Sequence, residues 1–172
     1  MTCSESKGAT TREAARWTAA WRAAMQSPND QLVAYPWVVP RFDGVTLRQS
    51  VRLRCAGRAL RVCLSNEYGA LPLHVGAAHV APAGAAGRHA GLGLAITFAG
   101  DAGVIVPPGM QWVSDRVDLP VSADATWLVS LYIEQSAEAA KTLHRQGGET
   151  AWVSGPGNFV ADEAFEPAAT LD

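Results

Sequence analysis

The stretch Leu47-Arg48-Gln49-Ser50-Val51-Arg52-Leu53-Arg54-Cys55-Ala56-Gly57-Arg58-Ala59-Leu60-Arg61-Val62-Cys63-Leu64-Ser65 decides how the chain is read. Leu47, Gln49, Val51, Leu53 and Cys55 alternate with Arg48, Ser50, Arg52 and Arg54, the period-two pattern of a strand with one buried face. After Ala56-Gly57, Leu60, Val62 and Leu64 alternate with Arg61, Cys63 and Ser65. If Ala56-Gly57 is a two-residue turn, 55 pairs with 58, 53 with 60, 51 with 62 and 49 with 64. That register predicts a β-hairpin with Val51, Leu53, Leu60 and Val62 on one face and Arg48, Arg52, Arg54 and Arg61 on the other. It also sets Cys55 and Cys63 on opposite faces, beyond disulfide reach, and predicts both as thiols.

Further strands follow at even spacing: Leu71 to Ala77, Leu94 to Phe98, Val104 to Val106, a strand with Val113, Asp115, Val117 and Leu119 on one face, another with Trp127, Val129, Leu131 and Ile133 on one face, and a short one around Thr150 to Ser154. Such a series is expected of a sandwich or barrel. Pro82 to Gly93, rich in small residues and without period, predicts a mobile surface connection. Thr10 to Met25 reads two ways. Thr10-x-x-Glu13 is a capping box and Trp17, Trp21, Ala24 and Met25 share a helical face, yet Trp17, Ala19, Trp21, Ala23 and Met25 also alternate as a strand would.

Composition narrows the class. A chain of 172 residues is about one domain, and hydrophobic content of 48% fills one core, while six Trp, 16 Gly and 10 Pro favour strands and turns over a helical bundle. Lys+Arg 14 against Asp+Glu 16 gives a net charge of -2. No positive excess is left for nucleic acid or an anionic bilayer, and no apolar run has membrane length. Three cysteines (Cys3, Cys55, Cys63) make neither a disulfide scaffold nor a four-ligand zinc site. The polar start Met1 to Lys7 is no signal peptide, which predicts a protein that stays inside or has lost its leader and leaves localisation unassigned.

The sequence holds no Gly-x-Ser-x-Gly, Gly-Asp-Ser or Asp-x-x-His block for a serine nucleophile and its base. His74, His79, His89 and His144 lack metal-site spacing, and there is no phosphate-cradling Gly-x-x-x-x-Gly-Lys loop. No catalytic residue is assigned.

A family pattern does emerge around the alternating stretch. Thr46-Leu47-Arg48-Gln49-Ser50-Val51-Arg52, Leu60 to Gly69 and Pro72-Leu73, followed by Leu94-x-Ile96-Thr97-Phe98-x-Gly100, Ser114-Asp115-x-Val117, Leu128-x-Ser130-Leu131-Tyr132, Thr142-x-His144 and Gly157-Asn158, with Trp17-x-x-x-Trp21 before them, resemble the amino-terminal β-domain of bacterial SGNH (GDSL-type) hydrolases. The likeness runs from Trp17 almost to the end. It implies an all-β, two-sheet jelly-roll-like (galactose-binding-like) sandwich as a single domain over 16–166, with a flexible segment at 1–15 and a tail at 167–172, and it tips the Trp17–Trp21 segment toward strand. Relatives with the catalytic domain would be ester hydrolases, secreted or periplasmic. Their nucleophile and base blocks lie in a following domain, and this chain ends about where that domain would begin. The resemblance therefore implies a non-catalytic accessory domain that binds carbohydrate or docks an SGNH-type catalytic domain. The other readings are a free-standing lectin-like protein and an esterase acting through an unrecognised site.

Candidate ligand or partner contacts follow from residue type. Arg48, Arg52, Arg54 and Arg61 could grip an acidic polysaccharide or a partner's carboxylates, against the plain reading of a solvated face. Asn66, in Ser65-Asn66-Glu67-Tyr68-Gly69, serves either a turn or a ligand. Trp112 and Trp152 could stack on a pyranose, and His144, two residues from Thr142, could meet a sugar. Asp115, in the apolar register of its strand, needs a partner, and with Asp101 and Asp118 could hold a structural Ca²⁺, although no ligand spacing demands a cofactor.

Overall fold

Leu47 to Ser65 does not close as a hairpin; the two halves of the stretch enter different sheets. The computed structural model describes residues 1–5, 16–27, 42–135, 142 and 149–171. In chain order its strands are β1 (Thr2–Glu5), β2 (Arg16–Ala19), β3 (Val45–Arg52), β4 (Gly57–Arg61), β5 (Cys63–Ser65), β6 (Leu73–Pro82) and β7 (Leu94–Ile96). There follow β8 (Val104–Val106), β9 (Gln111–Val113), β10 (Val117–Val121), β11 (Thr126–Gln135), β12 (Ala151–Pro156) and β13 (Pro167–Leu171). Among the described residues a single 3-10 turn, Ala85–Gly87, interrupts them. All pairings are antiparallel. The main sheet runs β13-β12-β3-β11-β6-β7, with β8 also on β6; a second runs β10-β4-β1-β2, and β5 pairs with β9. Among the described residues no sheet closes into a barrel, and no helix is long and apolar enough to cross a membrane.

The crossing from β3 to β4 is fixed by backbone. The Leu53 N–H donates to Ala125 O at 2.9 Å, Leu53 O accepts from the Asp124 N–H at 2.7 Å, and the Arg54 N–H donates to Ala20 O at 2.8 Å. β3 then pairs with β11 and β12, and β4 with β10 and β1. The hairpin register fails, but the apolar set survives: Val51, Leu53, Leu60 and Val62 are all buried in one core together with Val75, Ile96, Phe98, Val117 and Leu131. Each such side chain contributes about 1.5–3 kcal/mol by leaving water. One core fed by all three sheets makes the chain a single all-β domain.

β11 follows its expected alternation, placing Trp127, Val129, Leu131 and Ile133 on the core face opposite Val51, Gln49, Leu47 and Val45. β12 falls where a short strand is expected. The segment around Trp17 is extended over Arg16–Ala19, resolving helix against strand there; residues 10–15 lie outside the described part. β1 and β13 occupy stretches expected to be a terminal segment and a tail, and both pair along their length. The strand expected through Asp115 is broken: β9 ends at Val113, which is 51% exposed, and β10 begins at Val117.

The opposite face of the main sheet is also buried. Thr46, Arg48, His79, Ser130 and Ser154 lie there, each under a tenth exposed. Register brings Arg48 opposite both Ser130 and Trp152, and Ser130 opposite His79. Residues 84–91 and 157–165 cover them, tied by the contacts described next.

Candidate functional site

Arg48 is 1% exposed, which corrects its expected place on a solvated face. Its Nε donates to Ser130 Oγ at 2.9 Å, Nη1 to Gly87 O at 2.9 Å and Glu163 O at 3.4 Å, and Nη2 to Phe159 O at 3.1 Å and Asp162 O at 2.8 Å. All five guanidinium donors are used, and the Phe165 ring centre lies 4.6 Å from Cζ. Burial pushes its pKa down to about 10 against the pull of Asp162, so it stays charged at neutral pH. Thr46 reinforces the cover: its Oγ1 donates to Gly157 O and accepts from the Phe159 N–H. The segment expected to be a mobile connection is thus held through Gly87 O. Gly87 packs so close to Trp152 that a Cβ would sit 2.7 Å from its ring. Arg48 and half-buried Trp152 therefore serve this cover.

The remaining arginines do not form a stripe, because the sheet crossing separates them. Arg52 and Arg54, both exposed, share Asp124 at 3.6 and 3.1 Å. Arg61, in the other sheet, lies over the Trp17 ring at 4.7 Å. Asn66 is buried, its Nδ2 donating to Leu71 O and Val106 O at 2.9 Å each, which closes the turn before β6. His144 lies outside the described residues.

The three aspartates are also apart. Asp118 pairs with Arg116 at 2.6 Å. Asp115 is half-buried and accepts from Thr97 Oγ1 at 2.7 Å, the Gly100 N–H at 2.7 Å and the Ala99 N–H at 3.1 Å. Its carboxyl is held below the usual range by the Gly100 bond first and the Thr97 bond second, against burial. It clamps a tight turn in which Ala99 and Gly100 have φ of 54° and 90°. Among the described residues no three His, Cys, Asp or Glu side chains converge as a metal-ligand set.

That clamped turn carries Asp101 into an open groove of about 530 Å³, floored by Phe98 and lined by His74, Asp101, Ile105, Trp112 and Glu134. The strands explain its shape. The β6–β11 register shifts between Tyr132 and Gln135, a bulge of the kind that re-aims side chains. At the bulge Gly76 leaves room for the Glu134 side chain, whose carboxylate would collide with any Cβ there. Gly103 lies against β6 so closely that its Cβ would be 2.6 Å from Val75 O, which holds the far wall. Trp112 is 39% exposed, and Ile105, which lines the same groove, is over half exposed. Within the described residues the side chains of His74, Asp101, Trp112 and Glu134 make no hydrogen bond or ion pair.

Of the residues singled out from sequence, Trp112 and Asp101 meet in this groove, whereas Arg48, Asn66 and Trp152 serve the fold. His74, Ile105 and Glu134 were not legible as site residues. The available signal was Gly76, a glycine within a strand pattern, which marks a bulge or a close approach. No protein-family model and no curated protein matches the chain.

Proposed function

We propose that the chain is a two-sheet, jelly-roll-like sandwich of the kind that accompanies SGNH-type hydrolases, and that it binds carbohydrate in the groove of Trp112, Asp101 and Glu134. The observation that carries this reading is an exposed indole beside hydrogen-bonding side chains that have no partner among the described residues. An indole face covers the apolar face of a pyranose, and free carboxylates and an imidazole accept from its hydroxyls. The one core shared by the sheets supports the sandwich. Isothermal titration of soluble glycans into the 172-residue chain tests the function. Binding is expected with the wild type and at least tenfold weaker with Trp112→Ala; equal binding by the two proteins would place the ligand elsewhere.

A second reading is favoured by one further feature. Leu71 and Met110, each more than half exposed, are apolar side chains left in solvent on either side of the Asn66 turn that leads to the groove. Here they pack against a hydrolase domain. Co-purification of the chain with a separately expressed SGNH-type domain, lost on Met110→Glu, would support this reading over the first.

A further inference from the structure

We infer that the groove selects sugars carrying a free, protonated amine, that is, glycans of unacetylated hexosamine; this rests on the reading of the groove as a glycan site and names its ligand class. The charge of the groove points that way. Among the described residues its titratable groups are two carboxylates and one imidazole, with no Lys or Arg. The arginines that could favour an acidic glycan are placed elsewhere: Arg48 is buried, Arg52 and Arg54 share Asp124, and Arg61 lies on Trp17.

A uronate entering here brings its carboxylate toward Asp101 and Glu134 and is repelled. A neutral sugar gives each carboxylate hydroxyl hydrogen bonds. An ammonium gives charge-assisted bonds, roughly twice as strong, and a carboxylate, which only accepts, suits a group that only donates. Asp101 and Glu134 are both exposed and, among the described residues, unpaired, so an ammonium displaces no protein cation from them. The Trp112 face adds attraction for a cation within about 6 Å of its centre, so apolar and electrostatic recognition coincide on one ring. Acetylation of the amine removes the charge and both electrostatic gains.

The deciding experiment compares four soluble oligomers by isothermal titration at physiological ionic strength: glucosamine, N-acetylglucosamine, cello- and galacturonate oligomers of one length. The wild-type chain is expected to bind the glucosamine oligomer about tenfold more tightly than the cello- or N-acetylglucosamine oligomer, as two exposed ion pairs and a cation–π contact allow, and the galacturonate oligomer not at all. The double variant Asp101→Asn/Glu134→Gln is expected to abolish that preference while keeping its affinity for the cello-oligomer. Asp118→Asn, which removes an equally exposed charge outside the groove, is expected to preserve it. Equal affinity of the wild type for amine and neutral oligomers overturns the inference and leaves the glycan reading standing. So does a preference that persists in the double variant or falls equally with Asp118→Asn, since that marks general attraction to a net negative protein. Failure of every oligomer to bind overturns both.

Discussion

The imidazoles of His79, on the main sheet, and His89, on the segment that covers it, lie 13° from parallel with centroids 5.3 Å apart, close enough to the Arg48 guanidinium for its charge to act on both. His79 Nδ1 and His89 Nε2 are buried without a hydrogen-bond partner. Burial first and Arg48 second lower both pKa values, that of His89 to about 4, with His79 lowering it further and Glu163 and Asp162 opposing. Arg88, on the same segment, is occupied by Glu163 at 2.6 Å. Because the folded values lie below the unfolded value of 6.5, the unfolded chain takes up these protons first as pH falls. The stability tied to neutral imidazoles is complete above about pH 6.5 and is lost progressively toward about pH 4. Urea midpoints measured between about pH 7.5 and about pH 4.5 should fall more steeply for the wild type than for His89→Gln. Parallel profiles would show that the pair does not contribute.

Arg48 should be the most sensitive polar position in the domain. Removing it leaves Ser130 and the carbonyls of Gly87, Phe159, Asp162 and Glu163 without their donor beneath the cover. Arg48→Ala is expected to cost about 3–5 kcal/mol, a fall of roughly 10 °C in Tm for a domain of this size. Arg48→Lys should recover only part of it, since an ammonium has three donors for five acceptors. Hydrogen exchange of the 159–165 amides is the local readout. A lysine variant with wild-type protection would show that charge, not the planar fork, holds the segment.

What the sequence could reveal here depended on which physical rule was being read. Alternation identified the side chains that leave water, and Val51, Leu53, Leu60 and Val62 are all in the core. It could not identify pairing, because a run that turns back in the same sheet and a run that crosses to another bury the same set. The crossing is decided by distant backbone groups, Ala125 O, Asp124 N–H and Ala20 O, which carry no local pattern. Arg48 was misplaced for a related reason: alternation names two faces but not whether a later segment covers the second. Phe159 and Phe165, aromatic residues in a turn-rich segment, were the sign that such a cover needed a surface to lie on. The groove was the least legible part, since Glu134, at a register shift of β11, meets Asp101 and Trp112 from two other, separate stretches.

Asp115 sets the Asp101 turn, so its loss should act on the groove at a distance. Asp115→Ala removes the acceptor of the Thr97 hydroxyl and of the Ala99 and Gly100 amides. Those amides, at φ of 54° and 90°, then have no anion to turn toward. Faster amide exchange at 99–101 and weaker glycan binding are expected with little change in far-UV circular dichroism. Unchanged exchange at Gly100 would mean that the Phe98–Asp101 backbone bridge suffices to hold the turn. Since the folded pKa of Asp115 is depressed, its contribution is present above the unfolded pKa and lost as pH falls through the folded one, so the stability gap between wild type and Asp115→Ala should narrow as the solution is acidified through the carboxylate range.

Two glycines that meet at the groove, Gly76 in β6 and Gly103 in the connection before β8, should respond in opposite ways to one added methyl group. At Gly76 the three atoms nearest an added Cβ are the carboxylate end and Cγ of Glu134, an exposed side chain that can swing away. At Gly103 it would meet Val75 O at 2.6 Å and Gly76 O at 3.0 Å, backbone atoms fixed within β6. Gly103→Ala must therefore push the β7–β8 connection off the sheet, and is expected to cost about 1–3 kcal/mol, as overpacking a close contact does. Gly76→Ala should leave Tm within about 2 °C of wild type, because only a surface rotamer changes. It should nevertheless reduce glycan affinity, because the Glu134 carboxylate is expelled from its position over β6. A Gly76→Ala protein that binds as well as wild type would show that Glu134 reaches the ligand from more than one rotamer. A Gly103→Ala protein as stable as wild type would show that the wall formed by residues 99–103 yields without cost.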